Sequence, residues 1–177
     1  MIIKNLVKIK ELNILKAIYC YSLDFDGVNE YVNCTNNSAF DLDNTDAFSI
    51  YAWINVTSYD PSATEHIVSK YSNPPAQGYF LAVQANKIVF SLQNNGGTNG
   101  IIVETVNTFN TGQWYNVVVT YDGSSSGSGV KIYVDSINEP TNVTADTLTG
   151  SILTSETLKI GGTVTPARYF NGKISSV

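Results

Sequence analysis

The chain has 177 residues, a net charge of −5 and 14% charged residues, well under the roughly 25% of an average soluble protein. Its 10 basic residues are scattered, so no stripe exists to neutralise a phosphate backbone, and nucleic-acid binding is excluded. No apolar run reaches the roughly 18 residues of a membrane-spanning helix, and the length suits one domain with its own core.

Residues 1–19 are rich in Ile and Leu, and Lys4, Lys8, Lys10 and Lys16 form a solvated basic face. Charges at Lys8, Lys10, Glu11 and Lys16 interrupt every candidate signal-peptide core, and no small-residue cleavage site follows. The apolar positions fit neither a 3.6-residue period nor a period of two. A short helix, a strand and an anchoring arm that contacts other subunits of an assembly all stay open. The domain proper is read as 20–177.

From residue 20 the pattern is short strands punctuated by turns. Leu23 and Phe25 alternate with polar neighbours, Gly27 starts a tight turn, and 31–34 returns. A turn at Asp26-Gly27-Val28 would set Cys20 opposite Cys34; a disulfide there needs an oxidising compartment, which nothing in the sequence establishes. In AFSIYAWIN (47–55), Phe48, Ile50, Ala52 and Ile54 alternate with Ser49, Tyr51, Trp53 and Asn55. Strands follow at 67–70, 78–84, 87–93 and 101–106. WYNVVVTY (114–121) and VKIYV (130–134) flank DGSSSGSG, a flexible connection between adjacent strands. The closing strands are 151–153, 157–160 and 169–174. Such spacing predicts an all-β sandwich or barrel.

Four segments carry a resemblance: SLDFDGVNEYV (22–32), AFSIYAWINVTS (47–58), TGQWYNVVVTYDGS (111–124) with VKIYVDS (130–136), and LKIGGTVTPARYFNGKISSV (158–177). In order and spacing they resemble the laminin G-like, concanavalin A-like lectin/glucanase superfamily, in the form common on bacterial and phage surface proteins. The resemblance implies an all-β, two-sheet antiparallel jelly-roll sandwich with Leu23, Phe25, Ile50, Val117, Val119, Ile132 and Ile160 facing inward, and a final strand, 170–177, paired with the segment around Leu23–Phe25. Trp53 and Trp114 read as large buried or half-buried anchors within it.

Glucanases of this fold align three acids on one strand, Glu-x-Asp-x-(x)-Glu. Nothing here matches; Asp24, Asp26 and Glu30 stand at the first turn instead, and His66, the sole histidine, has no nucleophile arrangement around it. The resemblance also implies a calcium ion held by oxygen ligands, with Asp24, Asp26 and Asp122 as candidates. The acidic pair that often follows GKI is replaced by Ser175-Ser176, which removes two ligands. Sugar binding asks for aromatic rings beside amides and hydroxyls. Tyr59, Tyr71 and Tyr79, with Asn94, Asn95 and Asn99 of the QNNGGTNG loop, offer that chemistry.

The reading is a non-catalytic binding or adhesion module for a glycan or cell-surface polysaccharide, displayed on a virion or extracellular surface without a recognisable secretory signal. A structural decoration or fibre domain, contacting other subunits through residues 1–19, is the alternative. Glycoside hydrolysis ranks last.

Overall fold

The structure is a computed structural model that describes residues 21–35, 37–95, 98–163 and 167–177. The predicted arm and Cys20 lie outside the described residues. Among the described residues the strands are β1 (Leu23–Asp26), β2 (Val32–Asn33), β3 (Phe48–Val56), β4 (Glu65–Ser72), β5 (Gln77–Gln84), β6 (Lys87–Asn94), β7 (Asn99–Thr105), β8 (Trp114–Tyr121), β9 (Val130–Val134), β10 (Ile137–Asn138), β11 (Thr141–Asp146), β12 (Lys159–Ile160) and β13 (Asn171–Ser175).

Every ladder is antiparallel, and two sheets result. One runs β1-β13-β3-β8-β9-β10 and the other β11-β7-β6-β5-β4-β12-β2. The alternation read in the sequence decides which side chains meet between them, because successive residues of a strand point to opposite faces. Ile50, Ala52, Ile54 and Val56 of β3 face the core beside Val117 and Val119 of β8 and Ile132 and Val134 of β9. Leu81, Val83, Ile88, Phe90, Leu92, Ile101 and Val103 meet them from the seven-stranded sheet. Each of these Val, Leu, Ile and Phe side chains contributes roughly 1.5–3 kcal/mol by leaving water. The result is a jelly-roll sandwich.

Of the seven residues expected inside, Phe25, Ile50, Val117, Val119 and Ile132 are buried and Ile160 is half-buried against the core. Leu23 is 40% exposed, because it sits at the end of an edge strand where the opposing sheet no longer covers it. The first turn also departs from expectation. Gly27 does adopt φ +76°, but β1 pairs with β13 while β2 pairs with β12 in the other sheet. The chain crosses between sheets there instead of closing a hairpin, and Cys34 has no disulfide partner among the described residues. Residues 151–153 form no strand, although Ile152 is buried, and β11 occupies a segment that carried no strand signal.

Two local devices hold the closing segment. Gly161 sits at φ +81°, where a side chain would run into the Phe25 ring; glycine alone permits that approach. Lys70, 2% exposed, donates from Nζ to the carbonyls of Thr154 (3.0 Å) and Glu156 and pairs with Asp41 at 3.1 Å. That ammonium pins residues 154–156 to the short 3-10 turn at Ser38–Phe40.

Candidate functional site

The tyrosines expected to stack on a sugar are used for packing. Tyr79 is buried, rests its ring on Phe48 and donates from its hydroxyl to the Phe40 carbonyl at 3.1 Å. Tyr59 is half-buried and donates to the Phe109 carbonyl at 2.9 Å. Burial, reinforced by Tyr115 and Glu65, pushes its pKa up to about 12. Tyr71 is buried on the outer side of the seven-stranded sheet, with its hydroxyl 3.3 Å from Gln93 Oε1.

Around Tyr71 lies a second apolar cluster of Ala76, Phe80, Ala82 and Val89. His66 stacks on Phe80 with ring centroids 4.3 Å apart and is 2% exposed. Burial, with the charge of Arg168 adding to it, lowers the His66 pKa to about 3, so the imidazole is neutral. Its Nδ1 has no hydrogen-bond partner among the described residues. This cluster is sealed from solvent and offers no ring face to a ligand.

The structure does bring the three asparagines together. Asn94 faces Asn99 across the β6–β7 ladder, and Asn95 occupies the turn at φ +50°. Both ends of the Asn99 amide are already engaged: Nδ2 donates to Thr149 Oγ1 (2.7 Å) and Oδ1 accepts from Thr149 N (2.9 Å). The turn thus fastens residues 147–150 to the sheet edge, and no exposed aromatic ring accompanies it among the described residues.

The calcium candidates do not share a site. Asp24 pairs with Lys173 at 3.3 Å, and Asp26 Oδ1 accepts from the amides of Val28 (2.8 Å) and Asn29 (3.4 Å). Asp122 Oδ1 accepts from Ser124 N (2.9 Å), and bonds from Ser124 hold its carboxyl below the ordinary range. Through β13, Asp24 and Asp26 lie at the Val56 end of β3, whereas Asp122 follows Tyr121 opposite Phe48. The length of β3 separates them, roughly 27 Å. Among the described residues no three of His, Cys, Asp and Glu come together to hold a metal. These carboxylates therefore do not fit one calcium site.

The face that does present rings is the outer side of the six-stranded sheet. On β3 the residues between the core positions are Ser49, Tyr51, Trp53 and Asn55; on β8 they are Trp114, Asn116, Val118 and Thr120; on β9, Lys131 and Tyr133. Register fixes their arrangement. Tyr51, Val118 and Tyr133 form one row across three strands, Trp53 and Asn116 the next, and Asn55 and Trp114 the one after. Tyr133, Tyr51, Trp53 and Trp114 thus form a horseshoe about Asn116. With strands about 4.8 Å apart and about 3.4 Å per residue, Tyr51 and Tyr133 are roughly 10 Å apart and Trp114 lies about 14 Å along the strands from the Tyr51 row.

Tyr51, Trp53 and Trp114 are 39%, 37% and 40% exposed, and Tyr133 is half-buried. None of the hydrogen-bonding groups on the side chains of these four or of Asn116 has a partner among the described residues; Asn116 is held by its backbone, whose N–H donates to Asp135 Oδ1 at 2.8 Å. Trp53 and Trp114 are therefore not core anchors, since their strands put smaller aliphatic residues inside and the indoles outside. The signal that could have located this face was the alternation itself, which put Tyr51 and Trp53 opposite the core positions. A large aromatic side chain argues for burial and outweighed it.

Comparison with known proteins places the fold. The sequence profile of the concanavalin A-like lectin/glucanases superfamily, laminin G type, matches residues 26–177. The chain belongs to that superfamily. No curated protein matches the sequence. Among solved structures, the CBM40 of Ruminococcus gnavus IT-sialidase bound to α2,3-sialyllactose is similar, with TM-score 0.62 at 15% identity over 86% of this chain and 87% of that one. A heptameric SAP-like pentraxin from Limulus polyphemus gives 0.58 at 16% identity, over 87% and 72%. The binding domain of Paraclostridial Mosquitocidal Protein 1 gives 0.62 at 14%, over 85% of this chain and 37% of that one. At such identities the likeness is one of fold.

Proposed function

We propose that the chain is a non-catalytic glycan-binding module whose binding face is the outer side of the six-stranded sheet. The observation that carries this reading is the horseshoe of Tyr51, Trp53, Trp114 and Tyr133 around Asn116, open to solvent and with its polar tips unengaged by the described residues. Sugar rings present C–H groups on one face and hydroxyls at the rim. The electron-rich face of an aromatic ring attracts the first, and an amide with both a donor and an acceptor engages the second. Superfamily membership and the likeness to a carbohydrate-binding module bound to sialyllactose support the reading. So does the chain's low charge, which suits display on a virion or cell surface. Affinity per site is weak, because little apolar area is buried, and many copies together supply the avidity.

A multivalent display of the protein on a glycan array tests this, with Trp53→Ala and Asn95→Ala displayed beside it. The native and Asn95→Ala forms are expected to retain the same glycan and Trp53→Ala to lose it. Equal retention by all three forms, or no retention by the native form, would overturn the proposal.

A further inference from the structure

Resting on that reading, we infer that the horseshoe takes an internal stretch of an uncharged polysaccharide, and not a charged or terminal sugar. The first ground is charge. Among the described residues, the ionic groups on this face are Asp24 and Asp26 of β1, Lys173 of β13, Lys131 of β9 and Asp135 just past β9, three acids against two lysines. Asp24 and Lys173 pair with each other at 3.3 Å, and the Asp135 carboxylate accepts from Asn116 N. Lys131, on the far side of Thr120 from β3, stands outside the ring of aromatics. No cation among them stands inside the ring of aromatics, and acids outnumber lysines on the face. An anionic ligand would therefore find no partner there and would meet the Asp135 carboxylate beside Asn116, whereas an uncharged polymer meets no such penalty.

The second ground is shape. A pocket for a chain end needs walls, whereas these rings rise from one sheet face and stay more than a third exposed on β3 and β8. They span about 14 Å along the strands, well beyond one pyranose ring. Such a platform engages several successive sugars and is indifferent to where the polymer ends. Its polar tips, the hydroxyls of Tyr51 and Tyr133, the indole N–H groups of Trp53 and Trp114 and the Asn116 amide, meet hydroxyls with neutral donors and acceptors. Binding between neutral partners of this kind is unaffected by screening.

Affinity electrophoresis through gels cast with soluble glucan, xylan, mannan or galactan, and in parallel with polygalacturonate or polysialic acid, tests the inference. At least one neutral polymer is expected to retard the native protein, with apparent affinity changing less than twofold between low and high salt. Competing fragments of that polymer should strengthen at least a hundredfold from monosaccharide to tetrasaccharide. Trp114→Ala and Tyr51→Ala, each with the native circular dichroism spectrum, should weaken retardation tenfold or more. Retardation by the anionic gels alone, abolished by salt yet still dependent on Trp114, would overturn the choice of polymer while leaving the glycan face standing. A monosaccharide competing as well as the tetrasaccharide would do the same for the internal-stretch claim. Retardation that survives in both variants, or none in any gel, would bring down the glycan face and this inference together.

Discussion

Trp53 of β3 stands directly across from Asn116 of β8, with Ser175 of β13 on its other side. The next residue in each strand, Ile54 and Val117, points to the core. One ladder therefore separates two tasks: its inward positions hold the sandwich together, and its outward positions form the candidate face.

That division predicts a split in stability. Ile54→Ala opens a cavity in the core and should cost about 2–5 kcal/mol. Trp53→Ala, one residue away, loses cross-strand contacts on the open face and should cost roughly 1 kcal/mol. Urea unfolding of the two variants checks this, and equal losses would place Trp53 in the packing machinery.

His66 predicts a pH dependence. Its folded pKa of about 3 lies below its ordinary 6.5, so between those values the unfolded chain binds the proton and the folded one does not. Stability is then complete above about pH 6.5 and falls with acid, by about 1.4 kcal/mol for each unit toward pH 3. Glu65, whose pKa is raised by burial, acts in the opposite sense above its ordinary 4.5. The informative quantity is thus the difference between the native protein and His66→Phe, which keeps a ring on Phe80. That difference should grow in the variant's favour as pH falls from 7 to 5; parallel pH profiles would show that His66 is not sealed as described.

Lys70→Met should destabilise by roughly 1.5–3 kcal/mol, the worth of hydrogen bonds from a charged donor. The loss leaves the Thr154 and Glu156 carbonyls without their ammonium. Hydrogen exchange should quicken around residues 152–158 before the β3–β8 ladder is affected. Unchanged exchange there would contradict the clamp.

The strands were legible because local alternation carries them, with 114–121 and 130–134 coinciding with β8 and β9. The sandwich and the pairing of the closing strand with β1 were legible through the family resemblance, since alternation alone fits a barrel as well. The first turn was misread because Gly27 signals a turn but not which sheet receives the returning chain. β11 was missed because its residues are polar and mostly exposed, leaving no apolar period to find. The candidate face was half visible. Alternation set Tyr51 and Trp53 apart from the core positions, yet bringing Trp114, Asn116 and Tyr133 beside them takes a register across three strands, which no single strand encodes. The tyrosines at 59, 71 and 79 illustrate the converse: their composition suggested sugar stacking, while tertiary packing covers their rings, Tyr71 in the cluster outside the seven-stranded sheet and Tyr59 only in part.

The chain holds two tryptophans, and both stand on the proposed face. Two-dimensional proton–nitrogen NMR during titration with a bound neutral oligosaccharide therefore reads the site with two indole N–H signals. The account predicts that both shift and saturate together with the Asn116 side-chain amide, while the amides of Asn94, Asn95 and Asn99 stay in place. Saturation by the sugar with both indole signals unmoved, and shifts gathered instead at Asn94–Asn99, would contradict it.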